Sequence, residues 1–382
     1  MLRIFFESLF NLIKFINIDN KKKEFVFYSE SKFYRDHFID LIINLKKSNQ
    51  KDIILITSDK EDVSFYKEIL PCFYIKNYFI LNIFFKILNC KFMIMTLTDL
   101  GNHFQKSEQC KYYVYFFHAI ASTHKIYTNL AFKNYDIILS NGEYQSKELI
   151  FSENKFNFPK KEIINSGYFF LDNIKKKAKL NSKKNRHILF APSWNYNKNN
   201  LLDDHGIKII SNLLLKDFTL TLRPHPEHYT RSANTINKIK ELFLNDKNFS
   251  IDKNFSNLNS LENAEIVITD NSSIVFEFML IFERPIIYVD YKDKMHNTYM
   301  DKIPIKTIED EFKEKFGNTL NVSNLEKLSS LCENLLLNSN ISSNLIRLFS
   351  EKYLSNINNS ALFASNYLIK KSKMNKSLTQ KI

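Results

Sequence analysis

Two hydrophobic rhythms alternate along this chain. Short runs in which nearly every position is apolar, such as Asp52-Ile-Ile-Leu-Ile-Thr57 and Tyr135-Asp-Ile-Ile-Leu-Ser140, are separated by longer segments with apolar residues three and four apart. The runs predict strands covered on both faces, and the intervening segments predict amphipathic helices. In the first half the strands fall at 24–28, 52–57, 91–96, 112–117, 135–140 and 163–167, with helices over 32–46, 62–70, 78–88 and after Gly142. A second set begins at 187–192 and continues through a helix over 207–215 and strands at 218–222, at Ile251, from Ile266 and at 285–289. The stretch 324–373 reads as largely helical. This is the pattern of an α/β fold with two doubly wound Rossmann-type domains facing a central cleft and a helical C-terminal tail.

The expected division is an amphipathic N-terminal helix (1–18), an N-terminal α/β domain (19–174), a charged linker (175–186), a C-terminal α/β domain (187–345) and the tail (346–382). A length of 382 residues suits two domains. In the first helix the polar residues Arg3, Glu7, Asn11, Lys14 and Asn17 recur at helical spacing, leaving a narrow polar stripe on a very apolar cylinder. Two readings stay open there: a helix lying in a membrane interface, or one packed on the protein. No run reaches the roughly 20 apolar residues of a membrane span, and no small-residue cleavage site marks a signal peptide.

Composition sharpens the picture. Lys plus Arg number 54 against 41 Asp plus Glu, a net charge of +13, which favours anionic partners. No nucleic-acid-binding module is present, so nucleic acid ranks low among them. Four scattered cysteines without a CxxC pair read as reduced core thiols of a cytoplasmic protein.

Candidate chemistry gathers where strands end. The strand from Ile266 stops at Asp270-Asn-Ser-Ser273, and an apolar helix follows; a helix N-terminus with two hydroxyls suits a phosphate. Three further clusters lie at strand ends: His118-Ala-Ile-Ala-Ser-Thr-His-Lys125, Ala191-Pro-Ser-Trp194 with the single Trp, and Arg223-Pro-His-Pro226. Each alone has a plain structural reading, as a cap, a hydrogen-bonded histidine or a buried ring. Four together at carboxyl edges exceed what capping requires.

In order and spacing these clusters resemble the CDP-glycerol glycerophosphotransferase family of teichoic-acid and surface-polysaccharide enzymes. That family shows a His-Gly-Thr segment with a nearby Lys, then Ala-Pro-Thr-Trp, Arg-x-His-Pro, and Asp-Tyr-Ser-Ser before a helix. Arg284-Pro-Ile-Ile-Tyr288 is similar to its Lys-Pro-Ile segment. The likeness spans roughly residues 111–293. Ala119, Asn195 and Asn271 depart from it, where Gly, Arg and Tyr are usual.

The resemblance implies a GT-B-like transferase. It would move glycerol phosphate, or a related alditol phosphate, from a CDP-linked donor to a hydroxyl of a surface-glycan or lipid-linked acceptor, with CMP released. Under it, His118 is the base and His225 serves the phosphate or leaving group. Arg223, Asp270, Ser272, Ser273 and Glu277 form the donor side, Asp270 as a brace for the turn. Ser122, His124, Lys125 and Trp194 fall on the acceptor or phosphate side.

No Asp-x-Asp pair occurs, and Asp290 with Asp293 makes a poor metal site. No obligatory metal or cofactor is expected, the nucleotide donor being a substrate. The alternatives are a nucleotide-sugar glycosyltransferase or epimerase of capsule or lipopolysaccharide synthesis, and a non-catalytic scaffold in capsule assembly. The expected location is the cytoplasm, with peripheral attachment to an anionic inner membrane face as a further possibility.

Overall fold

The computed structural model describes residues 2–50, 52–98, 100–178, 186–195, 200–253, 258–292, 297–339 and 341–379. Its residues form two compact units. The first comprises Met1–Ile120, Tyr127–Asn173 and Tyr353–Ile382; the second comprises Ala121–Ile126 and Ile174–Lys352.

The first unit is built on a parallel sheet of seven strands: β1 (Phe25–Ser29), β2 (Ile53–Thr57), β3 (Cys72–Tyr74), β4 (Cys90–Met95), β5 (Cys110–Phe116), β6 (Ile137–Ser140) and β7 (Glu162–Asn165). Their spatial order is β3-β2-β1-β4-β5-β6-β7. Alternation along β1 shows why the strands read as unbroken apolar runs. Val26 and Tyr28 enter one core with Phe84 and Phe85, and Phe25 and Phe27 enter the opposite core with Phe38 and Leu41.

The second unit repeats the plan with β8 (His187–Phe190), β9 (Thr219–Leu222), β10 (Phe249–Ile251), β11 (Ile266–Thr269), β12 (Ile286–Asp290) and β13 (Gly317–Asn321). These are all parallel, in the order β10-β9-β8-β11-β12-β13. Both sheets reverse direction of growth once, between β1 and β4 and between β8 and β11. Such switch points leave a crevice outside the strand carboxyl ends, where ligands bind in open α/β sheets.

Three features refine the sequence reading. Lys175 to Lys177 complete the helix Phe169–Lys177, and Arg186 runs straight into β8; residues 179–185 of the expected linker lie outside the described residues. The tail does not stay with the second unit. Helix Ser360–Thr379 packs on helix Arg35–Lys47 and gives Ala361, Ala364, Leu368 and Ile369 to the core beneath β1. Asp172 fastens its approach by accepting the backbone N–H of Asn358 at 2.8 Å and of Ser360 at 2.9 Å.

The N-terminal helix Leu2–Ile16 packs on the first unit. Leu12 and Phe15 are buried in its core, and Ser8 Oγ accepts the N–H groups of Lys76 and Asn77 at 3.1 Å each. Its outer face still exposes Leu2, Phe6, Phe10, Ile13 and Ile16. No helix among the described residues is long and apolar enough to cross a membrane.

Candidate active site

In the second unit the two loops flanking the switch point are stitched together. β8 is followed by Ala191-Pro-Ser-Trp194, and β11 is followed by Asp270. Asp270 is buried; its carboxylate accepts the Ser193 N–H at 2.7 Å and the Ser193 hydroxyl at 2.8 Å. Thr269 Oγ1 donates to the Ala191 carbonyl at 2.7 Å. Asp270 thus points its charge back into the protein, which leaves the turn ahead of it to an anion.

That turn is Asn271-Ser-Ser273, entering helix Ile274–Phe282. The helix is apolar on nearly every side, and Val275 to Phe282 are all buried, so packing rather than a cap holds it. Ser273 stands at the cap position without making a side-chain cap bond. Ser272 N–H donates to Thr269 Oγ1 at 3.3 Å, and Ser272 Oγ meets Ile274 N at a marginal 3.5 Å. Both serines are half-buried, not sealed. A small pocket opens beside Ser272, lined among others by Lys125, Val275, Phe276, Tyr288 and Lys313. Glu309 and Asp310 also line it.

The segment Ala121–Ile126 belongs to this unit and is well anchored. Ser122 Oγ accepts the Ile308 N–H at 2.8 Å, while Ser122 N–H donates to the Glu309 carboxylate at 3.1 Å. His124 Nε2 lies 3.0 Å from the Ile305 carbonyl. Lys125, only 5% exposed, pairs with Asp310 at 3.2 Å; burial pushes that carboxyl up, but Thr307 and then Lys125 hold it below its usual range.

At the end of β9, Arg223 is gripped by protein. Its Nη1 donates to Ser260 Oγ at 2.9 Å and lies 3.7 Å from Asp252. Burial lowers its pKa, opposed by the charges of Asp252 and Glu277. Glu277 itself is buried on the apolar helix, close enough to be felt by that guanidinium. His225 caps helix Pro226–Arg231, its Nδ1 accepting the Glu227 N–H at 3.3 Å. In the neutral ring that leaves the proton on Nε2, a donor suited to a phosphate oxygen.

Sequence reasoning passed over His228, which is fully buried and meets Trp194 edge-on at 4.9 Å between ring centroids. Its spacing of three from His225, one helical turn on, was the available signal.

In the first unit His118 follows β5. Burial pulls its pKa down to about 4, so the imidazole is neutral at pH 7. Its ring contacts Tyr34 at 5.3 Å and, at right angles, His37 at 6.3 Å. Tyr168 Oη donates to the His118 carbonyl at 3.1 Å. No carboxylate orients the ring among the described residues; aromatic neighbours do. His37 carried no sequence signal beyond its place at the helix start after β1.

Among the described residues no cluster of three His, Cys, Asp or Glu could hold a metal ion. Asp290 pairs with Lys313 at 3.2 Å, and Asp293 lies outside the described residues.

Comparison with known proteins gives these sites a context. A search of curated proteins finds no match to this sequence. Among solved structures, the wall teichoic acid polymerase TagF is similar with a TM-score of 0.55 at 16% identity, covering 98% of this chain and 99% of that one. The S. aureus MnaA–UDP co-structure is similar with a TM-score of 0.61 at 12% identity, covering 93% and 97%. The Methanocaldococcus jannaschii UDP-GlcNAc 2-epimerase complex with UDP-GlcNAc and UDP gives 0.57 at 16%, covering 90% and 99%. At such identities these likenesses establish the GT-B-like α/β fold and nothing finer. The family model described as CDP-glycerol:poly(glycerophosphate) glycerophosphotransferase, however, matches residues 11–372. From the N-terminal helix to the returning C-terminal one, this chain is therefore a transferase belonging to the CDP-glycerol:poly(glycerophosphate) glycerophosphotransferase family.

Proposed function

We propose that the protein transfers glycerol phosphate from CDP-glycerol to a hydroxyl of a surface-glycan or lipid-linked acceptor. The acceptor oxygen attacks the β-phosphorus, the bond from that phosphorus to the bridging oxygen breaks, and CMP leaves. The observation that carries this reading is the turn at Ser272 and Ser273. There a packed helix of nine residues presents its N-terminus and a hydroxyl not used as a cap, with Lys125 and Lys313 in the adjoining pocket. A diphosphate would gain from the helix dipole and from charge-assisted hydrogen bonds.

Asp270 and Ser193 brace this turn. His225 donates from Nε2 to the leaving phosphate, and Glu277 accepts from ribose hydroxyls. Arg223 contributes field rather than direct contact, because its guanidinium is already tied to Ser260 and Asp252. Ser122 and His124 hold the loop that delivers Lys125, and Trp194 walls the end of β8. His118, neutral because buried, takes the acceptor proton; such base catalysis is worth about 10²- to 10⁴-fold. The exposed apolar stripe of helix Leu2–Ile16, in a chain of net charge +13, fits peripheral docking on an anionic membrane.

The test is a donor screen with the full chain. Calorimetry against CDP-glycerol, CDP-ribitol, UDP-sugars and CMP-sugars should show binding of the CDP-alditols, and Ser272→Ala should weaken it. Binding of a sugar nucleotide alone would replace this reading by a glycosyltransferase or epimerase on the same fold.

A further inference from the structure

The switch point of the first unit holds a second imidazole that the proposed mechanism does not use. His37 lies in the first turn of helix Arg35–Lys47, which follows β1, while His118 follows β5. His37 is only 7% exposed. Its ring stacks on Phe170 at 4.2 Å and meets His118 at 6.3 Å and 88°. Tyr34 and Tyr168 close the surround at 6.2 Å and 6.1 Å. Neighbouring Arg35 is clamped through Nε and Nη2 to the buried Asp62 carboxylate at 3.1 Å each, so the helix start cannot drift. The Nδ1 atoms of both histidines are buried without a hydrogen-bond partner among the described residues. Buried polar atoms in that state are uncommon and point to a ligand or a mechanistic role.

We propose that His37 is a specificity-determining residue, whose imidazole binds the hydroxyl adjacent to the one His118 deprotonates, so that this unit selects acceptors ending in a 1,2-diol. The proposal rests on the glycerophosphotransfer reading above. A hydroxyl both donates and accepts, so it satisfies a neutral imidazole in either tautomer. Burial disfavours imidazolium at both rings, which argues against an anion in this place. Rings at right angles aim at two points rather than one oxygen. The flanking aromatic faces of Tyr34, Tyr168 and Phe170 suit the C–H edges of a polyol.

The test uses the full chain, CDP-glycerol, and two short lipid-linked acceptors, one ending in glycerol phosphate and one in 3-hydroxypropyl phosphate. Wild type should favour the diol at least tenfold in kcat/KM. His37→Phe should erase that preference by lowering the diol rate alone, and His37→Gln should keep part of it. Equal losses on both acceptors, or an unchanged ratio, would overturn the proposal; if His37→Phe fails to fold, the His37→Gln ratio decides. Should wild type transfer nothing from CDP-glycerol, the functional reading falls, and binding settles the present one. The ¹⁵N resonances of the His37 ring should then shift with sn-glycerol 3-phosphate and not with 3-hydroxypropyl phosphate; equal or absent shifts would refute it.

Discussion

The clasp between Ser193 and Asp270 is the joint on which the Ser272-Ser273 turn depends, and its strength can be worked out from its geometry. Two buried donors of one residue meet two oxygens of one carboxylate, at 2.7 Å and 2.8 Å. Hydrogen bonds to a charged group contribute about 1.5 to 3 kcal/mol each. Asp270→Ala removes both and strands a backbone N–H and a hydroxyl, but also relieves the cost of burying the carboxylate. The net loss should be about 3 kcal/mol. Ser193→Ala removes only the hydroxyl bond, about 1.5 kcal/mol.

If the two act through one another, the double variant should lose about 3 rather than about 4.5 kcal/mol, a coupling of about 1.5 kcal/mol. Urea unfolding followed by fluorescence of the single Trp reads this directly, because Trp194 is the next residue in the chain. In thermal unfolding of a unit of this size, the Asp270→Ala melting temperature should fall by about 6 to 12 °C. Additivity within about 0.5 kcal/mol would show that the clasp is not the joint, and the account of the turn would fail with it.

Other expectations follow from the same geometry. Ser273→Ala should weaken CDP-glycerol binding about tenfold in calorimetry while leaving the melting temperature nearly unchanged, since that hydroxyl caps nothing; a large thermal loss would make it structural. His118→Gln should lower kcat by about 10²- to 10⁴-fold. Because the folded pKa of His118 lies near 4, below the unfolded 6.5, a base at this position should stay active down through pH 5, and the acid limb of kcat/KM should fall near 4. By the same linkage the unfolded chain binds the proton first, so His118 costs stability as pH falls from 6.5 to 4, a slope that His118→Gln should flatten. A limb at 6.5 that vanishes in this variant would contradict the burial argument. Replacing Phe6 and Phe10 by Asp should release the protein from anionic vesicles in sedimentation without changing its melting temperature, as both rings face outward; undiminished sedimentation would remove the membrane reading.

What the sequence revealed tracks how local each signal was. β2 and β6 were readable because burial on both faces makes nearly every residue apolar. β3 spans three residues, and the edge strand β13 reads Gly-Asn-Thr-Leu-Asn, so neither carries that mark. The serine turn after β11 was visible because strand, turn and helix are consecutive. The bond from Ser193 to Asp270 joins residues far apart in the chain and needed the strand order β8-β11 to appear. His37 and His118 were separable in sequence for the same reason: only the order β1-β4-β5 brings them together. The returning tail was read as helix correctly, but its destination was not written in its periodicity.

That destination has a consequence for how the protein is made. Ala361, Ala364, Leu368 and Ile369 complete a core whose other walls were synthesised some two hundred residues earlier. At about 5 to 20 residues per second, a ribosome needs roughly 10 to 40 s to supply them. Throughout that interval the nascent amino-terminal half must wait with an open apolar seam, while the later half can already settle into its own shape. Chaperone demand, and vulnerability to premature termination or a carboxyl-terminal fusion, should therefore concentrate on the part of the molecule that is born first.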